Sequence, residues 1–138
     1  MNPERVVQRG IRFEQVMGAH VHGYGLRFNK RSRDFVRGGH ANILFEINGV
    51  VEGVVYRLSH TDEILKMDPF ERAPIDYSRD LIRIKTAAGN LWAWTYFANT
   101  AFISSDLKPS CEYMNHLLAG EGFLSSRYVS WLRSFACV

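Results

Sequence analysis

From Ala19 onward the chain breaks into short runs in which Val, Ile, Tyr, Phe and Trp cluster as they do in strands. Five stand out: Val21 to Phe28, Ala41 to Ile47, Val50 to Leu58, Leu81 to Thr86, and Leu91 to Ala98. Asn48-Gly49 separates the second run from the third, and Gly89-Asn90 the fourth from the fifth. These residues tolerate the positive φ of tight hairpins, so two antiparallel pairs are predicted. Ahead of the strands, Val6, Val7, Ile11, Phe13 and Val16 lie around Gly10 within Pro3 to Met17, the pattern of a short helix followed by a turn. Asn2 is its candidate cap and Pro3 its first helical residue.

Between the strand pairs, Ser59, Thr61, Asp62 and Glu63 precede Ile64, Leu65 and Met67, which predicts a helix within Ser59 to Phe70. Pro69 and Pro74 bracket the next stretch and put Glu71 in a fixed turn just past that helix. Pro109-Ser110 opens a helix running through Leu118 and ending at Gly120, and Ser125 or Ser126 opens another running through Phe135. No repeat or linker interrupts residues 1–138, which read as one domain.

Composition narrows the class without naming a function. Hydrophobic residues make up 46% and charged residues 22% of the 138, the balance of a chain that buries a core. No apolar run approaches the roughly 18 residues of a membrane span, and the polar start is unlike a signal peptide, so neither insertion nor secretion is expected. Cys111 and Cys137 are too few for a zinc finger or a disulfide framework, and a reduced, cytoplasmic setting is the expectation. The net charge is +3, with a local cluster at Arg27, Lys30, Arg31, Arg33 and Arg37. Asp34 interrupts that cluster, and a run of this kind beside Gly38-Gly39 reads as a solvated hairpin loop rather than a nucleic-acid site.

Most common chemistries lack their residues. There is no Gly-x-Ser-x-Gly elbow, no Walker loop and no dinucleotide fingerprint, and neither cysteine has a recognisable histidine partner. His20 and His22 share a strand face, but two ligands without a third make no metal site, so no metal is assigned. Trp92, Trp94 and Tyr96 line one strand face as core or pocket wall. Glu71 is flanked by Phe70, Ala73 and Pro74; apolar surroundings would raise its pKa toward that of a general acid/base, whereas pairing with Arg72 would lower it. Composition and spacing leave the function open at this point.

The order of several short pieces resembles the gamma-glutamylcyclotransferase-like family. They are Gly23-Tyr24 with Leu26 and Phe28, Ala41-Asn42-Ile43, Val51 with Gly53-Val54-Val55-Tyr56 and Leu58, and Met67-Asp68-Pro69-Phe70-Glu71. After them come Tyr77, Thr95-Tyr96, Pro109-Ser110 with Tyr113, and Gly120. The resemblance implies an α+β fold, a small mixed β-barrel of about five or six strands with flanking short helices. It implies cyclisation of a γ-glutamyl group to 5-oxoproline with release of an amine. Glu71 would be the general acid/base and Tyr113 a substrate contact, with Tyr77 and Tyr96 beside the cavity. The substrate's own α-amine attacks, so no protein nucleophile, cofactor or metal is called for.

Two departures from the family pattern stand out. Members of the family open with a strand ending in a Tyr-Gly-Ser-Asn type loop whose backbone N–H groups hold the glutamyl moiety, and this sequence starts just after that position. The expectation is a barrel short of its first strand and its substrate cradle, with an unpaired edge that a second copy could meet. Arg72 stands where the family commonly has glycine, and would narrow the cavity or pair with Glu71. Three functions compete: a cyclotransferase acting on a small γ-glutamyl amine or amino acid, a non-catalytic binding protein on the same barrel, and an adaptor that binds an anionic partner through the basic run.

Overall fold

The computed structural model describes residues 1–138. Helix α1 spans Pro3–Gln8, and the Asn2 side chain accepts from the Glu4 and Arg5 amides at its start. Gly10, at φ 76, turns the chain out of α1 into strand β1, Phe13–Arg31. The loop 32–38 returns it as β2, Gly39–Leu58. A two-turn 3-10 helix, Thr61–Lys66, leads into helix α2, Asp68–Glu71. Strands β3, Tyr77–Thr86, and β4, Gly89–Ala98, form the second hairpin. Helices α3, Cys111–Leu118, and α4, Ser126–Arg133, finish the chain, capped by the side chains of Ser110 and Ser125.

The sheet is antiparallel, in the order β2-β1-β3-β4. Its class, α+β with short flanking helices, is the expected one, but it has four strands and does not close into a barrel. The runs Ala41 to Ile47 and Val50 to Leu58 are two halves of β2, and both pair with β1. Asn48-Gly49 makes no hairpin. Register jumps there from His22↔Val50 to Tyr24↔Phe45, so several residues of β2 bulge opposite Gly23. The positive φ of Asn48 (62) and of Gly23 (84) goes into this bulge. The second predicted hairpin forms, but its turn is Ala87-Ala88; Gly89 and Asn90, expected to make the turn, open β4 and pair with Thr86 and Lys85. Closure fails because β1 and β3 meet at one register position, His20↔Lys85, and β2 and β4 keep free edges.

The interior forms where the sheet meets the C-terminal helices and where its own strands pack on one another. Leu26 and Phe28 of β1 pack against Met114 and Leu117 of α3 and Leu132 of α4, the last fully buried. Val21, Ile82 and Ile84 form a second cluster, and Ile43 and Val51 touch both, so the two clusters are one continuous core. No helix is long and apolar enough to cross a membrane.

The cysteines, expected to be reduced, form a disulfide between Cys111 and Cys137, with Cα atoms 5.0 Å apart. The cause is local. The Cys111 amide donates to the Val138 carbonyl at 3.0 Å and the Val138 amide to the Pro109 carbonyl at 3.0 Å, which lays the C-terminal tail along the start of α3 and brings the sulfurs together.

Candidate active site

Residue pairing decides what lines the interior. Strand alternation sends Leu26, Phe28 and Lys30 of β1 inward, and the end of α2, the turn after it and the start of β3 bring Glu71, Asp76 and Tyr77 to the same space. The result is an open cavity of about 990 Å³, and its walls include Glu71, Tyr77, Tyr96 and Tyr113. All four site residues anticipated from the sequence therefore meet in one place.

Glu71 is the last residue of α2 rather than part of a turn beyond it. Its side chain is 28% exposed, and its one ion pair is with Arg9, at 3.5 Å. Burial raises its pKa above the ordinary carboxylate range, while the nearby Arg9 and Lys30 charges oppose that rise. Arg9 is itself fixed by the Met67 sulfur at 3.2 Å and lies over the Phe70 ring at 4.7 Å. The expected Glu71–Arg72 pairing does not form. Arg72 takes a left-handed conformation, φ 51, a position that favours glycine, and its side chain turns to Asp76 at 3.3 Å.

The three tyrosines have different hydrogen-bond roles. Tyr77 donates its hydroxyl proton to the Ala41 carbonyl at 2.9 Å, and the Ala41 amide donates to the Tyr113 hydroxyl oxygen at 3.1 Å. The pair clamps both backbone groups of one β2 residue and leaves the Tyr113 proton free to donate elsewhere. Burial pushes the Tyr113 phenol up to about 12, so it is a neutral donor at any ordinary pH. Tyr96 donates to Asp68 at 2.6 Å, and Asp68 also lies 2.9 Å from Arg79, which ties α2 to the second hairpin. Within Asp68-Pro69-Phe70-Glu71, the aspartate thus anchors the element and the glutamate faces the cavity.

The structure also gathers residues that sequence reasoning missed. Asp76 is fully buried and receives Lys30 at 2.9 Å, Arg33 at 2.9 Å and Arg72 at 3.3 Å. Burial works against its ionisation, but these cations hold its pKa well below the usual range. The basic run is therefore not simply a solvated loop: Lys30 and Arg33 turn into the cavity wall, Arg27 pairs with Glu46 at 3.2 Å, and Arg31 donates to the Ala101 carbonyl. The signal was available, since Leu26, Phe28 and Lys30 alternate along one strand face. Trp92 and Trp94 are 65% and 45% exposed, so they form the outer wall of the cavity, not its core.

The family model described as gamma-glutamyl cyclotransferase, AIG2-like, matches residues 2–115. The chain belongs to this family. Among solved structures it is similar to a gamma-glutamyl cyclotransferase, at 18% identity and a TM-score of 0.83 over 99% of this chain and 83% of that one. It is also similar to the Homo sapiens uncharacterized protein loc79017, at 19% identity and a TM-score of 0.82 over 98% and 82%. A third likeness is to YkqA from Bacillus subtilis, at 20% identity and a TM-score of 0.77 over 99% of this chain and 52% of that one. At these identities the likeness is one of fold. No curated protein matches the sequence. For a member of the gamma-glutamyl cyclotransferase, AIG2-like family, the open sheet described above is the main architectural point: four strands that do not close around the cavity.

Proposed function

We propose that the chain is a gamma-glutamylcyclotransferase that converts a small γ-glutamyl amine or γ-glutamyl amino acid into 5-oxoproline and the free amine, with Glu71 as general acid/base. The observation that carries this reading is Glu71 itself: a half-buried carboxylate on the cavity wall, raised by burial and held by a single long ion pair. A raised carboxylate in a sheltered site can both take and return a proton near neutral pH.

In the reaction, the substrate's α-ammonium gives a proton to the Glu71 carboxylate, and the freed amine attacks the γ-carbonyl. As the C–N bond to the leaving group breaks, Glu71 returns the proton to the departing nitrogen. A second proton leaves the new lactam nitrogen and also reaches the amine, which departs as an ammonium ion with no net proton exchanged. The attack is intramolecular, so the protein's main task is to hold the glutamyl chain folded back on itself. Tyr113 offers its free hydroxyl proton to the substrate, while Tyr77 offers oxygen lone pairs and Tyr96 its ring.

The test is 5-oxoproline release from a panel of γ-glutamyl amino acids, γ-glutamyl amines and glutathione. Turnover of at least one is expected; no release from any contradicts the reading. A second reading, a non-catalytic binding protein on the same fold, draws on the sheet that stays open between β1 and β3. It predicts saturable binding of γ-glutamyl compounds without product.

A further inference from the structure

The side of the cavity built from Lys30, Arg33, Arg72 and Asp76 carries more positive charge than the proton shuttle uses. Three cations converge on one carboxylate, a formal surplus of two positive charges. Lys30 is the informative member. Its side chain is 5% exposed, yet its ammonium makes one hydrogen bond, to Asp76, out of the three it can donate. The ring faces of Tyr77 and Phe102 stand 5.5 and 5.9 Å from it, and no second protein oxygen or nitrogen accepts from it. A buried ammonium with unspent donors calls for a further acceptor. Arg33 and Arg72 are about half exposed and bring their guanidinium groups from the protein surface to the same carboxylate. The acids nearby do not pair with these cations: Glu71 pairs with Arg9, and Asp34 forms no ion pair with them.

We infer that Lys30 and Arg33, held in place by Asp76, form a carboxylate-binding subsite next to Glu71 that anchors a carboxylate of the substrate. This rests on the cyclotransferase reading and deepens it, because it limits substrates to γ-glutamyl compounds that present a carboxylate at that point. Two substrate carboxylates have the required chemistry: the α-carboxylate of the glutamyl group and the carboxylate of a leaving amino acid. Either would take the free Lys30 donors and the Arg33 fork in a site with dry aromatic walls.

Binding to the Glu71→Gln protein, measured by titration calorimetry, tests the inference without turnover. The probes are γ-glutamylalanine, its glutamyl α-methyl ester, and γ-glutamylethylamine, which lacks the leaving-group carboxylate. One of the two modified probes should bind about tenfold or more weakly than γ-glutamylalanine, the usual effect of losing a charge-assisted hydrogen bond. In proteins also carrying Arg33→Gln or Lys30→Met, that gap should close to within about threefold. Arg33→Gln leaves the buried Lys30–Asp76 pair intact, so a folded variant is available even if Lys30→Met is unstable. Sensitivity to the ester assigns the glutamyl carboxylate; sensitivity to the ethylamine assigns that of the leaving amino acid. Equal affinity for all three probes, an unchanged gap in the Arg33→Gln protein, or no binding at all overturns the inference. Turnover by the wild-type chain is followed in parallel. Carboxylate-dependent binding without any 5-oxoproline contradicts the proposed reaction alone, and turnover without carboxylate dependence contradicts the subsite alone.

Discussion

Replacing the two clamping tyrosines one at a time separates a structural hydroxyl from a substrate-facing one. Tyr77→Phe strands the Ala41 carbonyl, which now accepts at 2.9 Å, and Tyr113→Phe strands the Ala41 amide, which now donates at 3.1 Å. An unsatisfied buried group of this kind costs about 1–3 kcal/mol. A chain of 138 residues has an unfolding entropy of roughly 0.3 kcal/mol/K, so each variant should melt about 3–10 °C below the wild type. The effect on activity should be unequal. The Tyr77 proton is already given to Ala41, whereas the Tyr113 proton is free, so only Tyr113→Phe removes a donor that substrate can use. We expect Tyr113→Phe to lower kcat/KM about tenfold and Tyr77→Phe less than about threefold, read by 5-oxoproline release well below both melting temperatures. Equal losses of activity would refute the division of roles. Unchanged melting in both variants would refute the clamp itself.

Other expectations follow from the charged groups and the sulfurs. Burial raises the Glu71 pKa and Arg9 works against it, so Arg9→Met should move the acid limb of the kcat/KM profile to higher pH; an unmoved or lowered limb contradicts the pairing. Lys66 and Arg12 hold the buried Glu63 carboxylate at a pKa of about 2, below its ordinary 4.5. The stability this confers is complete above the ordinary value and is lost as pH falls toward the folded one. Urea midpoints of wild type and Glu63→Gln should therefore converge between about pH 5 and 2, and a gap independent of pH would contradict the assignment. The disulfide closes a separation of 26 residues, which by chain entropy is worth about 3.5 kcal/mol. Reductant should lower the melting temperature of the oxidised protein and leave Cys111→Ser unaffected; no effect on the former contradicts the bond.

Local signals in the sequence reached as far as local physics does. The Asn2, Ser110 and Ser125 caps, the β3–β4 hairpin and both C-terminal helices follow from residues within a few positions of each other. The long β1–β2 pair did not, because Asn48 and Gly49 have the same backbone freedom in a bulge as in a hairpin, and only the partner strand decides between them. The candidate site was legible in part: Glu71 and the three tyrosines do share a cavity. Arg9 as the partner of Glu71 was not, since nothing local links α1 to the end of α2. Arg72 was read as a neighbour of Glu71 by sequence, but its left-handed backbone sends the side chain to Asp76 instead. The cationic wall was hidden by the habit of reading a basic loop as solvated, although the inward phase of Leu26 and Phe28 extends to Lys30.

The central claim is that Glu71 carries the proton in an intramolecular cyclisation. Its most direct test is kcat/KM for 5-oxoproline release by the wild-type chain and by Glu71→Gln, on the best substrate of the panel, at one pH. The account predicts a loss of about 10²–10⁴-fold in the variant, the usual contribution of a general acid/base, with the fold intact by thermal melting. Equal rates in the two proteins would contradict it.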